Sequence, residues 1–191
     1  MHKFSPSGAE RLERPERHQL IPPAETLRRF SLGPGMHFLD AGAGTGFFSR
    51  AASTIVGPAG HVYAAEMFAE MLEAFKRYGV PPNVSLVQSR EYEIPLPAGI
   101  ADLALLAFVL HENIEGRRLL NEVLRLVKTG GKLVILEWKK QQEENGPPME
   151  ERLGEDELDQ ILQPYRVIDR GELNRSHYYR VIARVEDTPR R

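Results

Sequence analysis

An acid and three alternating glycines, Asp40, Gly42, Gly44 and Gly46, stand between a short apolar run and a helix-like segment, in the stretch FLDAGAGTGFFS. Glycines at a strand-to-helix turn accept positive φ and let a ligand approach the backbone without a Cβ in the way. The free N–H groups of the helix that follows point at such a ligand. The spacing is one residue short of the dinucleotide fingerprint Gly-x-Gly-x-x-Gly. A carboxylate as near as Asp40 disfavours a pyrophosphate and suits a ligand carrying an ammonium or sulfonium group. The bland alternative is an ordinary Gly-rich turn. The strand before, the acid at its end and the helix after favour a binding turn.

Two further residues carry chemistry. Glu66 closes the second apolar run, where its alternative reading is a solvated acid at a helix start. His111, in Leu106-Ala107-Phe108-Val109-Leu110-His111-Glu112, is the best candidate for a base, because its unperturbed pKa lies near neutrality. Its alternative is to brace the loop. Glu112 is placed to orient it, although neighbouring residues on a helix rarely face the same way. One His and one Glu do not make a metal site, and no metal is expected. Trp138, Phe47 and Tyr178 are candidates for an apolar acceptor wall, each with core packing as its alternative.

The elements that must position these residues follow from periodicity and breakers. Strands are predicted at 36–39, 61–65, 83–88, 101–108 and 132–138, and helices at 24–30, 47–56, 67–78, 117–127 and 154–163. The 101–108 run is apolar apart from Asp102, as befits a strand buried on both faces. Gly130-Gly131 is expected to end the helix before it. Segments 166–168 and 177–185 follow without a helix between them, which predicts antiparallel pairing. Residues 141–148 read as a polar loop. Strands alternating with helices predict a three-layer α/β sandwich, with ligands beyond the C-terminal strand ends.

Length allows one domain: 191 residues with 41% hydrophobic and 27% charged content. The expected division is a flexible N-terminal extension over 1–20 and a single domain over 21–187. Net charge is −2, which gives no bulk attraction for nucleic acid. The N-terminus lacks the apolar core of a signal peptide, and no apolar run approaches bilayer-spanning length. A cytoplasmic protein without membrane insertion is expected. The chain has no cysteine, which excludes disulfides, thiolate–zinc sites and any mechanism through a cysteine adduct.

At Asp40, Gly42, Gly44 and Gly46 the chain resembles the class I S-adenosylmethionine-dependent methyltransferases. The nearer resemblance is to the small-molecule branch that includes the quinone-biosynthesis C-methyltransferases, with a methyltransferase type 11-like domain. It implies a doubly wound, mostly parallel seven-stranded sheet of order 3-2-1-4-5-7-6 with one antiparallel strand. It also implies S-adenosyl-L-methionine as cofactor and a small-molecule methyl acceptor. Glu66 matches the family's acid for the ribose hydroxyls, and Met67 sits where an apolar side chain meets adenine. Leu106 and Ala107 correspond to residues offering backbone oxygens to the methionine moiety. Where many relatives have an Asp for the adenine amino group, this chain has Arg90, with Glu91 beside it. Arginine accepts no hydrogen bond, so Glu91, or backbone and packing, must serve there. The aromatic Pro-Pro signature of nucleobase amine methylation is absent. Arg14, Arg17 and His18 are candidates for a lid over the cofactor. The rival readings are a cofactor-binding protein without catalysis and a nicotinamide-dependent oxidoreductase.

Overall fold

The computed structural model describes residue 10 and residues 12–143 and 145–185. In chain order the elements are α1 (Pro15–Leu20), α2 (Pro23–Arg29), β1 (His37–Ala41), α3 (Phe47–Val56), β2 (His61–Glu66), α4 (Ala69–Tyr78) and β3 (Val84–Gln88). They continue with β4 (Ala101–Ala107), α5 (Gly116–Leu126), β5 (Val127–Trp138), α6 (Glu155–Leu162), β6 (Val167–Glu172) and β7 (His177–Ala183). Short 3-10 turns occupy Leu110–Glu112 and Met149–Glu151.

The strands form one seven-stranded sheet in the order β3-β2-β1-β4-β5-β7-β6. β7 alone runs antiparallel, against both β5 and β6. β4 shows why the sheet lies between two helical layers. Its Leu103 and Leu105 pack with Leu27, Phe48 and Ile55 on one face. Its Ala104 and Leu106 pack with Leu120, Leu124 and Leu158 on the other. A strand buried on both faces needs this continuous apolar run. The single charge in β4 is satisfied locally, since Asp102 accepts from the His37 N–H and from Lys128 Nζ, each at 2.7 Å.

β1 lies between β2 and β4, so the strand order reverses beside it. A crevice opens at such a reversal beyond the C-terminal strand ends. Asp40, Glu66 and Ala107 all reach that edge.

Two local expectations are corrected. α4 starts at Ala69 and not at Met67, because the Glu66 carboxylate accepts the Phe68 N–H at 2.9 Å and Phe68 remains extended. α5 ends at Leu126, before the Gly130-Gly131 pair. Val127 already pairs with Ala101, and the glycines lie in an irregular stretch before Lys132 rejoins the ladder. Within the stretch 12–20 the chain meets the glycine turn and α3: Glu13 accepts from Thr45 Oγ1 and pairs with Arg50 at 2.5 Å. Residues 1–9 and 11 lie outside the described residues.

Candidate functional site

The crevice is a cavity of about 940 Å³ lined from β1, β2 and β4, the turns after them, and the N-terminal segment. Asp40 is the last residue but one of β1 and is 2% exposed; its Oδ2 accepts from Ser49 Oγ at 2.6 Å. Burial raises its pKa to about 6; nearby Glu66 adds to the rise, and the Ser49 hydrogen bond and Arg17 oppose it. Water is excluded here, so a charged carboxylate lacks the solvation it would have outside. A cation entering the cavity would supply what solvent does not.

Glu66 ends β2 with both oxygens turned to backbone donors. Oε2 accepts the Gly44 N–H and Oε1 the Phe68 N–H, each at 2.9 Å. Burial raises its pKa, and these backbone hydrogen bonds work against the rise. Each carboxylate oxygen has two lone-pair directions, so the group retains acceptor capacity for ligand hydroxyls.

The three glycines have positive φ and separate reasons. A Cβ on Gly42 would come within 2.5 Å of Val109, and one on Gly46 within 2.3 Å of the Phe75 ring. A Cβ on Gly44 would meet only Leu12, at 3.3 Å. Gly42 and Gly44 line the cavity and Gly46 does not; it caps α3 in the left-handed conformation. The ligand-approach argument therefore falls on Gly44, and packing explains Gly46.

Met67, Arg90, Glu91, Leu106 and Ala107 all line the cavity. Arg90 sits at its exposed rim, paired with Glu93 at 3.0 Å, and Glu91 accepts from the Tyr92 hydroxyl at 3.0 Å. Arg14 and Arg17 line the cavity as well, and the His18 ring lies 4.7 Å from Phe47. Tyr178, expected on the acceptor wall, is fully buried and donates to the Leu153 carbonyl at 2.7 Å. It belongs to the core.

His111 lines the cavity on the turn after β4, and its partner went unnoticed in the sequence. Nδ1 lies 2.8 Å from Glu137 Oε2, and Glu137 Oε1 accepts the His111 backbone N–H at 3.2 Å. Glu137 is fully buried in β5. Its carboxylate fixes the tautomer, with the proton on Nδ1 and the Nε2 lone pair outward. Glu112 stands 3.8 Å from Nε2, beyond hydrogen-bond distance. Glu137, and not Glu112, orients the ring. Burial lowers the His111 pKa, but the Glu137 hydrogen bond and charge outweigh it, and the net shift is upward. The one signal in the sequence is an acid between the apolar run Leu133-Val134-Ile135-Leu136 and Trp138.

Beside His111 is an aromatic cluster. Phe108 has φ 62°, a conformation that costs a non-glycine residue about 1–3 kcal/mol. Its ring lies 5.7 Å from Trp138 and 4.9 Å from His177, and Trp138 lies 4.1 Å from His177. Burial pushes the His177 pKa down to about 3, so this histidine is neutral. The polar loop after β5 folds over Trp138. Arg152 donates to the carbonyls of Lys139, Gln141, Asn145 and Pro147, and a Cβ on Gly146 would meet the Trp138 ring at 2.9 Å.

These groups fit an adenosyl sulfonium. Of the two buried acids, Asp40 suits a cationic group and Glu66 suits hydroxyls, both would repel a pyrophosphate, and Gly44 lines the cavity without a side chain. Sheet order, glycine turn and paired acids define a class I methyltransferase site. A family model described as a methyltransferase domain matches residues 39–135. A crystal structure of an S-adenosylmethionine-dependent methyltransferase from Aquifex aeolicus is 35% identical, covering 94% of this chain and 98% of that one, with TM-score 0.88. The ubiquinone/menaquinone biosynthesis C-methyltransferase UbiE of Vibrio parahaemolyticus is 34% identical over 111 residues, 56% of this chain and 43% of that protein. The match thus spans under half the length of that relative. The PH0226 protein of Pyrococcus horikoshii, 16% identical with TM-score 0.73, shares the fold. The chain belongs to the S-adenosylmethionine-dependent methyltransferases. Among the described residues no helix is long and apolar enough to cross a membrane.

Proposed function

We propose that this enzyme methylates a small, aromatic, proton-bearing acceptor, with His111 as general base and Glu137 as its positioning partner. The observation that carries the proposal is the buried Glu137 carboxylate 2.8 Å from His111 Nδ1. That pairing leaves Nε2 as the proton acceptor on a ring that lines the cavity. When bound, the cofactor supplies a sulfonium methyl open to one-step displacement. Asp40 and Glu66 receive its cationic and hydroxyl groups, Gly44 gives it access to the backbone, and Met67 and Glu91 flank the adenine side.

On the acceptor side, Phe108 and Trp138 offer an apolar aromatic wall, their rings tilted by 48°, and the Arg152-organised loop borders the cavity. His111 Nε2 takes the acceptor's proton, and the Glu137 carboxylate stabilises the imidazolium that results. A phenol deprotonated in this way is nucleophilic at oxygen and at its ring carbons. Relatives named as quinone-biosynthesis C-methyltransferases make carbon methylation the form to examine first. A cytoplasmic enzyme without nucleic-acid substrate is part of the same proposal; the net charge of −2 gives no bulk attraction for nucleic acid.

The test is transfer of labelled methyl from S-adenosylmethionine to a panel of phenols, hydroquinones, thiols and amines. Turnover confined to the first two classes, with a rate that rises with pH through the His111 ionisation, supports the reading. Tight cofactor binding without turnover on any acceptor would favour a binding protein instead.

A further inference from the structure

One cation in the cavity, near enough to Asp40 to oppose the rise in its pKa, has no ligand assigned to it above. Arg17 lies on α1 with its guanidinium carbon 4.2 Å from the centre of the Phe47 ring. Nη1 donates to the Leu12 carbonyl at 3.0 Å, its one side-chain hydrogen bond among the described residues. A guanidinium presents five donors in a rigid fork, and among the described residues the others of this one make no hydrogen bond, although Glu13 and Asp40 act on its charge. The side chain is half-buried, packed on protein yet open to the cavity that it lines. The segment that carries it covers the glycine turn, with Leu12 Cδ1 3.3 Å from where a Gly44 Cβ would stand. Glu13 fastens the same segment to Thr45 and Arg50.

The amino-acid end of the cofactor is a zwitterion. Asp40 and Glu66 suit its ammonium and the ribose, but they would repel its carboxylate, which needs a cation nearby. Arg90 is committed to Glu93 at the rim, and Arg14 is exposed. We infer that Arg17 receives the α-carboxylate of the cofactor's methionine end, so that residues 12–20 close the glycine turn as part of the binding site. A guanidinium fork matches a carboxylate with two parallel hydrogen bonds. The assignment rests on the cofactor reading above.

Two ligands separate the possibilities by calorimetry on the full chain. S-adenosylhomocysteine has the carboxylate; 5′-methylthioadenosine keeps the adenosine and thioether but lacks the amino-acid end. The expected result is that Arg17→Gln weakens S-adenosylhomocysteine about 10- to 100-fold. Arg17→Lys should weaken it less, and 5′-methylthioadenosine should change by under about twofold in both variants. Melting curves check that both variants are folded. Equal losses for the two ligands would make Arg17 a brace for α1, and no loss for either would remove it from the site; both overturn the assignment. A native protein that binds no S-adenosylhomocysteine would instead sink the cofactor reading itself.

Discussion

The Glu66 carboxylate accepts the N–H of Gly44 at 2.9 Å, across 22 residues of sequence, and so ties the end of β2 to the glycine turn after β1. Its other oxygen holds the Phe68 N–H and with it the start of α4. A residue that the family resemblance assigns to ribose therefore also holds the glycine turn in place. Glu66→Ala should weaken cofactor affinity about tenfold or more and also lower stability by about 2–4 kcal/mol, since two buried N–H groups lose their acceptor. Glu66→Gln should not be mild, because its amide NH₂ must face one of two donors. Calorimetry and thermal melts on both variants check this; a Gln variant with native stability and affinity would show that the two backbone bonds matter little.

The glycines separate ligand access from packing. Gly46→Ala drives a Cβ to within 2.3 Å of the Phe75 ring and should give a protein that is insoluble or melts many degrees lower. Gly44→Ala meets only Leu12 but places a Cβ at φ 54°, a strain of about 1–2 kcal/mol; it should remain folded at a lower melting temperature, while cofactor affinity falls at least about tenfold. A folded Gly44→Ala protein with native affinity would remove the turn from the binding site.

Asp40 trades stability for binding. Its pKa is raised to about 6 from 3.8, so the native state binds the proton more tightly than the unfolded chain does. The stabilisation that protonation brings is complete below the unfolded value and is lost as pH rises through about 6. At neutral pH the buried carboxylate then opposes folding by on the order of 3 kcal/mol. Asp40→Asn, which can still accept from Ser49, should raise the melting temperature at pH 8 and lose that pH dependence, while cofactor binding weakens. Denaturant titrations at pH 5 and pH 8 decide it, and a variant less stable than the native protein at pH 8 contradicts the account.

His111 and Glu137 predict a linked pH response. His111→Ala should lower turnover about 10²–10⁴-fold with nearly unchanged cofactor affinity. In the native enzyme the rate should rise with pH through an ionisation above the ordinary imidazole value, in the direction that Glu137 sets. Glu137→Gln should shift that limb to lower pH and reduce the rate. Because the folded-state pKa of His111 is raised, the stability it contributes is full at pH values below the unfolded value and disappears as pH rises through the folded one. Glu137→Gln should accordingly cost more stability at pH 6 than at pH 9. An unmoved rate limb in this variant would leave Glu137 without a role in positioning the base.

What the sequence determined by itself was whatever depends on local pattern. The apolar run of β4, the alternation of strands with helices and the acid before three glycines are each written in adjacent residues, and burial on two faces or a positive-φ turn needs nothing more distant. The strand order came from resemblance, because periodicity carries no information about which strands are neighbours. Tertiary structure alone decided the rest. Glu137 is 26 residues from His111 in the chain, and the two meet because β5 lies beside β4 in the sheet. Residues 12–20 look solvated in sequence, since their charges face groups on α3 and the glycine turn that no local window contains. Tyr178, an aromatic at a strand position, became core and not acceptor wall because β7 is inserted between β5 and β6. Side-chain period shows which residues share a face of a strand, and only the assembled layers show what that face meets.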